Sequence, residues 1–255
     1  FDIPIIESLF ESGNLTKDAY VICNGFKRPQ YIENICNLIE EGFENVIPIL
    51  DNKFELDEYD RNITRKIKIG IRIASEEEPK FDFYTSRLGI RYNDIVSYYE
   101  EEIKNNPKFE LKMLHFFINT GIRDSAYYWN ELSKCVQVYC ELKAVCPQLT
   151  SLNIGGGFPI KNSLNFDFDY AYMAEEIIAQ IKGICQRNNT PEPNIFTEFG
   201  SFTVGESGAV LYSIIDQKRQ NDRELWNMID SSFITTLPDT WAINQKFILL
   251  AVNHW

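Results

Sequence analysis

With 255 residues, 44% of them hydrophobic, the chain is long enough to bury one barrel-sized core or one and a half smaller domains. Its 37 acidic against 25 basic side chains leave a formal charge of −12, which argues against a nucleic-acid footprint or a polybasic membrane patch. No apolar run reaches the roughly 18 residues of a membrane span, and no C-x-x-C pair or Cys/His cluster marks a metal, so the six cysteines read as small apolar residues in a reduced, cytoplasmic setting.

In chain order, the first β-rich run is Tyr20–Cys23, followed by a helix from Pro29 to Glu41 whose Ile32, Ile35, Cys36 and Ile39 share one face and which stops at Gly42. Strands are predicted at Val46–Leu50, Ile67–Ala74 and Leu111–Ile118. A helix from Ser125 to Cys146 places Tyr128, Leu132, Cys135, Tyr139 and Leu142 at alternating steps of four and three, capped by Asp124 or Ser125 and ended by Pro147. A strand at Leu149–Ile154, a helix from Asp169 to Arg187 and a strand at Asn194–Thr197 complete the alternation. Strands alternating with helices imply βα units and a parallel sheet, either a barrel or an open sheet. After Gly200 the pattern changes, with strands expected at Ala209–Ile215 and Lys246–Val252. The expected division is therefore 1–205 for the α/β part and 206–255 for the start of a β-rich domain. The chain opens at Phe1 without an initiator methionine and reads as an internal fragment of something longer.

The residues that invite chemistry sit at strand ends. Gly155, Gly156 and Gly157 follow an apolar strand, where consecutive glycines turn backbone N–H groups together toward an anion such as a phosphate, or simply make a sharp turn. The spacing is neither G-x-G-x-x-G nor a P-loop. In Leu114–Thr120, His115, Phe117 and Asn119 share one strand face, pointing either to a ligand or into the core. Glu198 ends another strand in an apolar setting, and Arg72 is its opposite in sign on the strand Ile67–Ala74; each alone is more often structural, and a shared Arg–Glu pair accounts for both. Gly205-Glu-Ser-Gly-Ala breaks the G-x-S-x-G elbow, which disfavours serine hydrolysis.

The strings Val21–Ile32, Gly70-Ile-Arg-Ile-Ala, Ser86-Arg-Leu-Gly-Ile, Leu114–Gly121, Ile154-Gly-Gly-Gly-Phe-Pro, Thr197-Glu-Phe-Gly-Ser-Phe and Thr236–Gln245, in this order, resemble the pyridoxal-phosphate barrel decarboxylases of the alanine racemase-like fold type, and among them the arginine decarboxylases. The resemblance implies a (β/α)8 TIM-type barrel, incomplete at its N-terminus in this chain, followed by the start of a β domain. It implies pyridoxal phosphate as cofactor and decarboxylation of a basic amino acid, arginine first, in polyamine biosynthesis. It further implies a homodimer or higher homo-oligomer with a small-molecule amino-acid substrate. By the same resemblance Glu198 is the catalytic carboxylate that faces the pyridine nitrogen. Gly155, Gly156, Gly157, Gly200 and Ser201 surround the phosphate with Thr120 nearby, while Arg72, His115 and Phe117 lie close to the ring. Three departures stand out. Phe117 replaces a stacking histidine, Ser201 replaces a phosphate-binding arginine, and the lysine that carries the cofactor has no counterpart, Lys161 being only a superficial mimic. A relative acting on ornithine, lysine or diaminopimelate, a noncatalytic regulatory homologue and a phosphate-binding aldolase-type barrel are the other readings.

Overall fold

A computed structural model describes residues 2–76, 86–118, 120–242 and 244–253; Asn119, singled out above, lies outside them. The chain divides into two compact units, Phe1–Gly157 with Tyr170–Phe199, and Phe158–Asp169 with Gly200–Trp255.

The first unit alternates strands with helices. α1 (Asp2–Glu11) is followed by β1 (Val21–Cys23), α2 (Pro29–Glu40), β2 (Val46–Leu50), α3 (Glu55–Asn62), β3 (Ile67–Ala74) and the short β4 (Ile90–Arg91). Then come α4 (Ile95–Tyr98), which runs on through a π-type turn, β5 (Phe109–His115), α5 (Ala126–Val145), β6 (Ser151–Asn153), α6 (Tyr170–Arg187) and β7 (Asn194–Phe196). All pairs are parallel, in the order β1-β2-β3-β5-β6-β7, with β4 added to β3. The path curls until its ends meet: the Tyr20 and Phe196 rings lie edge to face at 5.0 Å, and Ile22 and Phe196 pack on Ile47, Ile49 and Met113. The result is an α/β partial barrel.

Local sequence explains these elements. β2, Val-Ile-Pro-Ile-Leu, is buried at every position, and β3 nearly so, as expected of a parallel sheet covered by helices. The predicted apolar face of α2 is buried, and Gly42 follows it at φ +93°, a conformation that side-chain-bearing residues rarely adopt. Ser125 caps α5 by accepting from the Tyr128 N–H, and the five predicted stripe residues of that helix are all buried. β5 is shifted against the expectation: it starts at Phe109 and ends at His115, and the Gly121 N–H closes a turn onto the Ile118 carbonyl further along. α3 and α4 were not read from the sequence. α3 carries only Leu56 and Tyr59 as buried apolar residues among charged ones, too few to show a period.

The second unit holds α7 (Gly200–Val204), β8 (Ile214–Arg219), β9 (Leu225–Ile229), α8 (Phe233–Thr236) and α9 (Asp239–Ala242). β8 and β9 form an antiparallel hairpin. This corrects the expected strands: Ala209–Ile215 is strand only at its end, and the described residues after 245 carry no strand. Most of β8 comes from the polar residues 216–219, between the two expected strands. All six cysteines are buried free thiols. Among the described residues no helix is long and apolar enough to cross a membrane, and no group of three His, Cys, Asp or Glu is placed to hold a metal ion.

Candidate functional site

One register row crosses the sheet near its carboxyl edge. Arg72 of β3 stands opposite His115 of β5, His115 opposite Asn153 of β6, and Asn153 opposite Phe196 of β7. In parallel α/β sheets this edge is where ligands bind, because the loops that follow the strands can reach inward there.

Immediately beyond the row, backbone segments approach closely. Ile154 N–H donates to Phe196 O at 3.0 Å and Glu198 N–H to Gly155 O at 2.9 Å, so the glycine loop and the segment after β7 are laced together. Gly155 and Gly157 adopt φ of +70° and +115°. A Cβ on Gly155 would lie 2.8 Å from Phe116 O, one on Gly156 2.4 Å from Glu198 O, and one on Gly157 2.7 Å from Gly121 Cα. Glycine is thus required three times over, by backbone angle and by close approach.

Glu198 is the centre of this edge. It is not buried, contrary to the reading of its sequence: its side chain is 34% exposed. What holds it is a pair of asparagine amides, Asn24 Nδ2 and Asn153 Nδ2, which both donate to Oε1 at 2.7 Å. Asn24 follows β1, so Glu198 also joins the two ends of the curled sheet. His115 is 2% exposed; its Nδ1 lies 4.0 Å from Glu198 Oε1 and that atom has no hydrogen-bond partner among the described residues. Burial pulls its imidazole down to about 4, with Arg72 pushing the same way and Glu198 opposing. The Phe117 ring is not core: it is 37% exposed and faces Gly155, while its carbonyl accepts from the Ser75 hydroxyl. Thr120 is half-buried in the turn before Gly121.

The depressed His115 predicts acid lability. An unfolded imidazole takes its proton near 6.5, the folded one only near 4, so between these values the unfolded chain binds more protons. Stability is then full above pH 6.5 and declines as the pH falls toward 4. His115→Gln should flatten this decline in urea midpoints measured from pH 7 to 4; an equal slope in both proteins would contradict it.

Gly200 and Ser201, expected to end a strand, instead open the exposed helix α7 of the second unit. Lys161 is exposed in the segment 158–169 of that same unit.

Sequence reasoning missed a second charged cluster on the carboxyl side of β1 and β2. Lys27 is fully buried and pairs with Glu55 Oε2 at 3.1 Å; its ammonium also donates to the carbonyls of Gly25, at 2.7 Å, and Ile49. Glu55 accepts in turn from Asp51 N–H at 3.2 Å. Burial draws both partners toward neutrality, Lys27 downward and Glu55 upward, and their attraction opposes it. Asp51 is raised by burial as well, with Arg72 and Lys27 opposing. Lys27 therefore adds a lysine near the carboxyl end of β1, but one enclosed by its partners. Its place in Asn24-Gly-Phe-Lys was visible; its partner 28 residues away was not.

Residues 16–205 match the family described as pyridoxal-dependent decarboxylase, pyridoxal binding domain. The biosynthetic arginine decarboxylase of Prochlorococcus marinus (strain MIT 9215) is 26% identical over 256 residues, covering 92% of this chain and 39% of that protein. Among solved structures, lysine decarboxylase from Selenomonas ruminantium superposes with a TM-score of 0.76 at 18% identity over 95% of this chain and 60% of that one. The biosynthetic arginine decarboxylase from Campylobacter jejuni gives 0.63 at 22% identity over 77% of this chain and 33% of its own. The chain spans well under half the length of the curated relatives it matches.

Proposed function

The chain belongs to the pyridoxal-dependent decarboxylases by its match to their pyridoxal-binding domain, and from that premise we propose that it serves an enzyme converting a basic amino acid, foremost arginine, to its amine and carbon dioxide. The arginine preference rests on the arginine decarboxylases among its curated relatives. The observation that carries the chemistry is the half-open Glu198 carboxylate at the carboxyl edge of the sheet, held by two amides beside a three-glycine cradle.

These residues fit the ring end of pyridoxal phosphate. The bound cofactor supplies a protonated ring that withdraws the electron pair released when Cα loses its carboxylate. Glu198 holds the proton on the ring nitrogen, because a carboxylate beside it favours the charged form. Phe117 offers an aromatic face and no proton, which replaces proton handling at that position by stacking alone. Gly156 and Gly157 offer main-chain amides for the phosphate and Thr120 a hydroxyl, while Gly155, whose own N–H is held by Asn153 Oδ1, supplies the turn that brings them there. Gly200 and Ser201 are assigned to the phosphate on the resemblance alone, Ser201 contributing one neutral hydrogen bond where an arginine would contribute two charged ones. Arg72 and His115 complete the polar row behind Glu198. The 1–205 and 206–255 division, a homodimeric or larger assembly, a cytoplasmic location and a role in polyamine biosynthesis belong to the same proposal.

Carbon dioxide release tests it. The intact protein, supplied with pyridoxal phosphate, should act fastest on L-arginine when offered arginine, lysine, ornithine and meso-diaminopimelate in parallel. Faster release from diaminopimelate would move the substrate; cofactor binding with no release from any of the four would leave a noncatalytic homologue.

A further inference from the structure

We propose that Asn24 and Asn153 are positioning residues that occupy one oxygen of Glu198 and so leave Oε2 as its single acceptor for a ligand N–H; this rests on the role of Glu198 proposed above. Asn153 ends β6 and is completely buried. Its amide is fixed at both ends: Oδ1 accepts the Gly155 N–H at 2.9 Å while Nδ2 donates to Glu198 Oε1 at 2.7 Å. Rotating the amide by half a turn would set N–H against N–H at Gly155 and oxygen against oxygen at Glu198, so only one orientation satisfies both neighbours. Asn24 brings the second donor to the same oxygen at 2.7 Å from the far end of the sheet.

Two amide donors to one carboxylate oxygen are charge-assisted bonds and take up its in-plane lone pairs. All the contacts of this carboxylate seen among the described residues are made at Oε1, and a third of the side chain is open to solvent. His115 Nδ1, at 4.0 Å from Oε1, is too distant to compete. Among the described residues Arg72 on β3 stands opposite His115 in register, and Asp51 after β2 is within the electrostatic reach of Arg72. Asparagine suits the task because it donates without titrating. Asn153 also ties the carboxylate to the glycine loop through Gly155, so the two ends of the proposed cofactor site share one side chain.

Asn153→Asp separates the clamp from mere packing. It keeps the acceptor for Gly155 N–H but sets a second carboxylate against Glu198, and carboxylates that close share a proton. In the cofactor-free full-length protein, 13C carboxyl spectra at pH 7 should show one protonated carboxyl, absent from the wild type and from the double variant Asn153→Asp/Glu198→Gln. Asn24→Asp should do the same from a less buried position, which covers the case in which the first variant fails to fold. With cofactor, Asn24→Ala should lower kcat roughly 10- to 100-fold with KM little changed, as expected when a catalytic group loses its orientation. Two fully ionised carboxylates in both aspartate variants would overturn the clamp. A shared proton in variants that turn over normally would instead leave the clamp standing and remove Glu198 from the chemistry.

Discussion

Glu198→Gln in the intact protein should lower kcat by about 10²- to 10⁴-fold, the range of a lost acid–base group, with the thermal midpoint almost unchanged. The surroundings dictate how the new amide must lie. Asn24 and Asn153 both present N–H groups to Oε1, so the glutamine turns its oxygen to them and its NH2 to the other side. On the proposed role of Glu198, a donor would then stand where the ring nitrogen needs an acceptor, and the ring proton would be lost. Steady-state kinetics and a thermal melt on the same preparation decide the matter. Unimpaired turnover would strip Glu198 of its role.

Lys27→Met should cost about 3 to 5 kcal/mol of folding stability, because it leaves Glu55 buried without its counter-charge. Glu55 is 3% exposed, and its partners are Lys27, the Asp51 N–H and the half-buried Asn52 amide. The double variant Lys27→Met/Glu55→Leu should regain most of the loss, since removing both charges also removes the desolvation they carry. Urea midpoints of the two variants against the wild type provide the comparison. A single variant within about 1 kcal/mol of the wild type would show that the pair is not enclosed.

Burial decided which elements could be read in advance. β2 and β3 were read to the residue because strands covered on both faces appear as unbroken apolar runs. α5 and α6 were read within a residue or so because their apolar stripes keep a helical period over many turns. The hairpin of the second unit was misplaced for the opposite reason. β8, Ile-Ile-Asp-Gln-Lys-Arg, is exposed at every position, so no alternation marks it. At the site, glycine and glutamate were recognisable by type and by their place at strand ends. Asn24 and Asn153 were not, since asparagine at a strand end reads as an ordinary turn former. Their shared contact appears only when residues 174 and 45 positions away in sequence converge on one oxygen. The Glu198 setting was misjudged because apolar neighbours in sequence, Phe196 and Phe199, say nothing about what stands across the gap.

The meeting of β1 and β7 has a thermodynamic consequence. Among the described residues the two strands share no ladder, and their ends are joined by the Tyr20–Phe196 ring pair and by the Asn24 bond to Glu198. On the proposed function the same carboxylate is both latch and receptor. If a ligand binds better when the latch is fastened, fastening and binding are linked, and by reciprocity each strengthens the other by the same factor. The seam would then act as an entropic reserve, loose in the empty protein and stiffened by the molecule it receives.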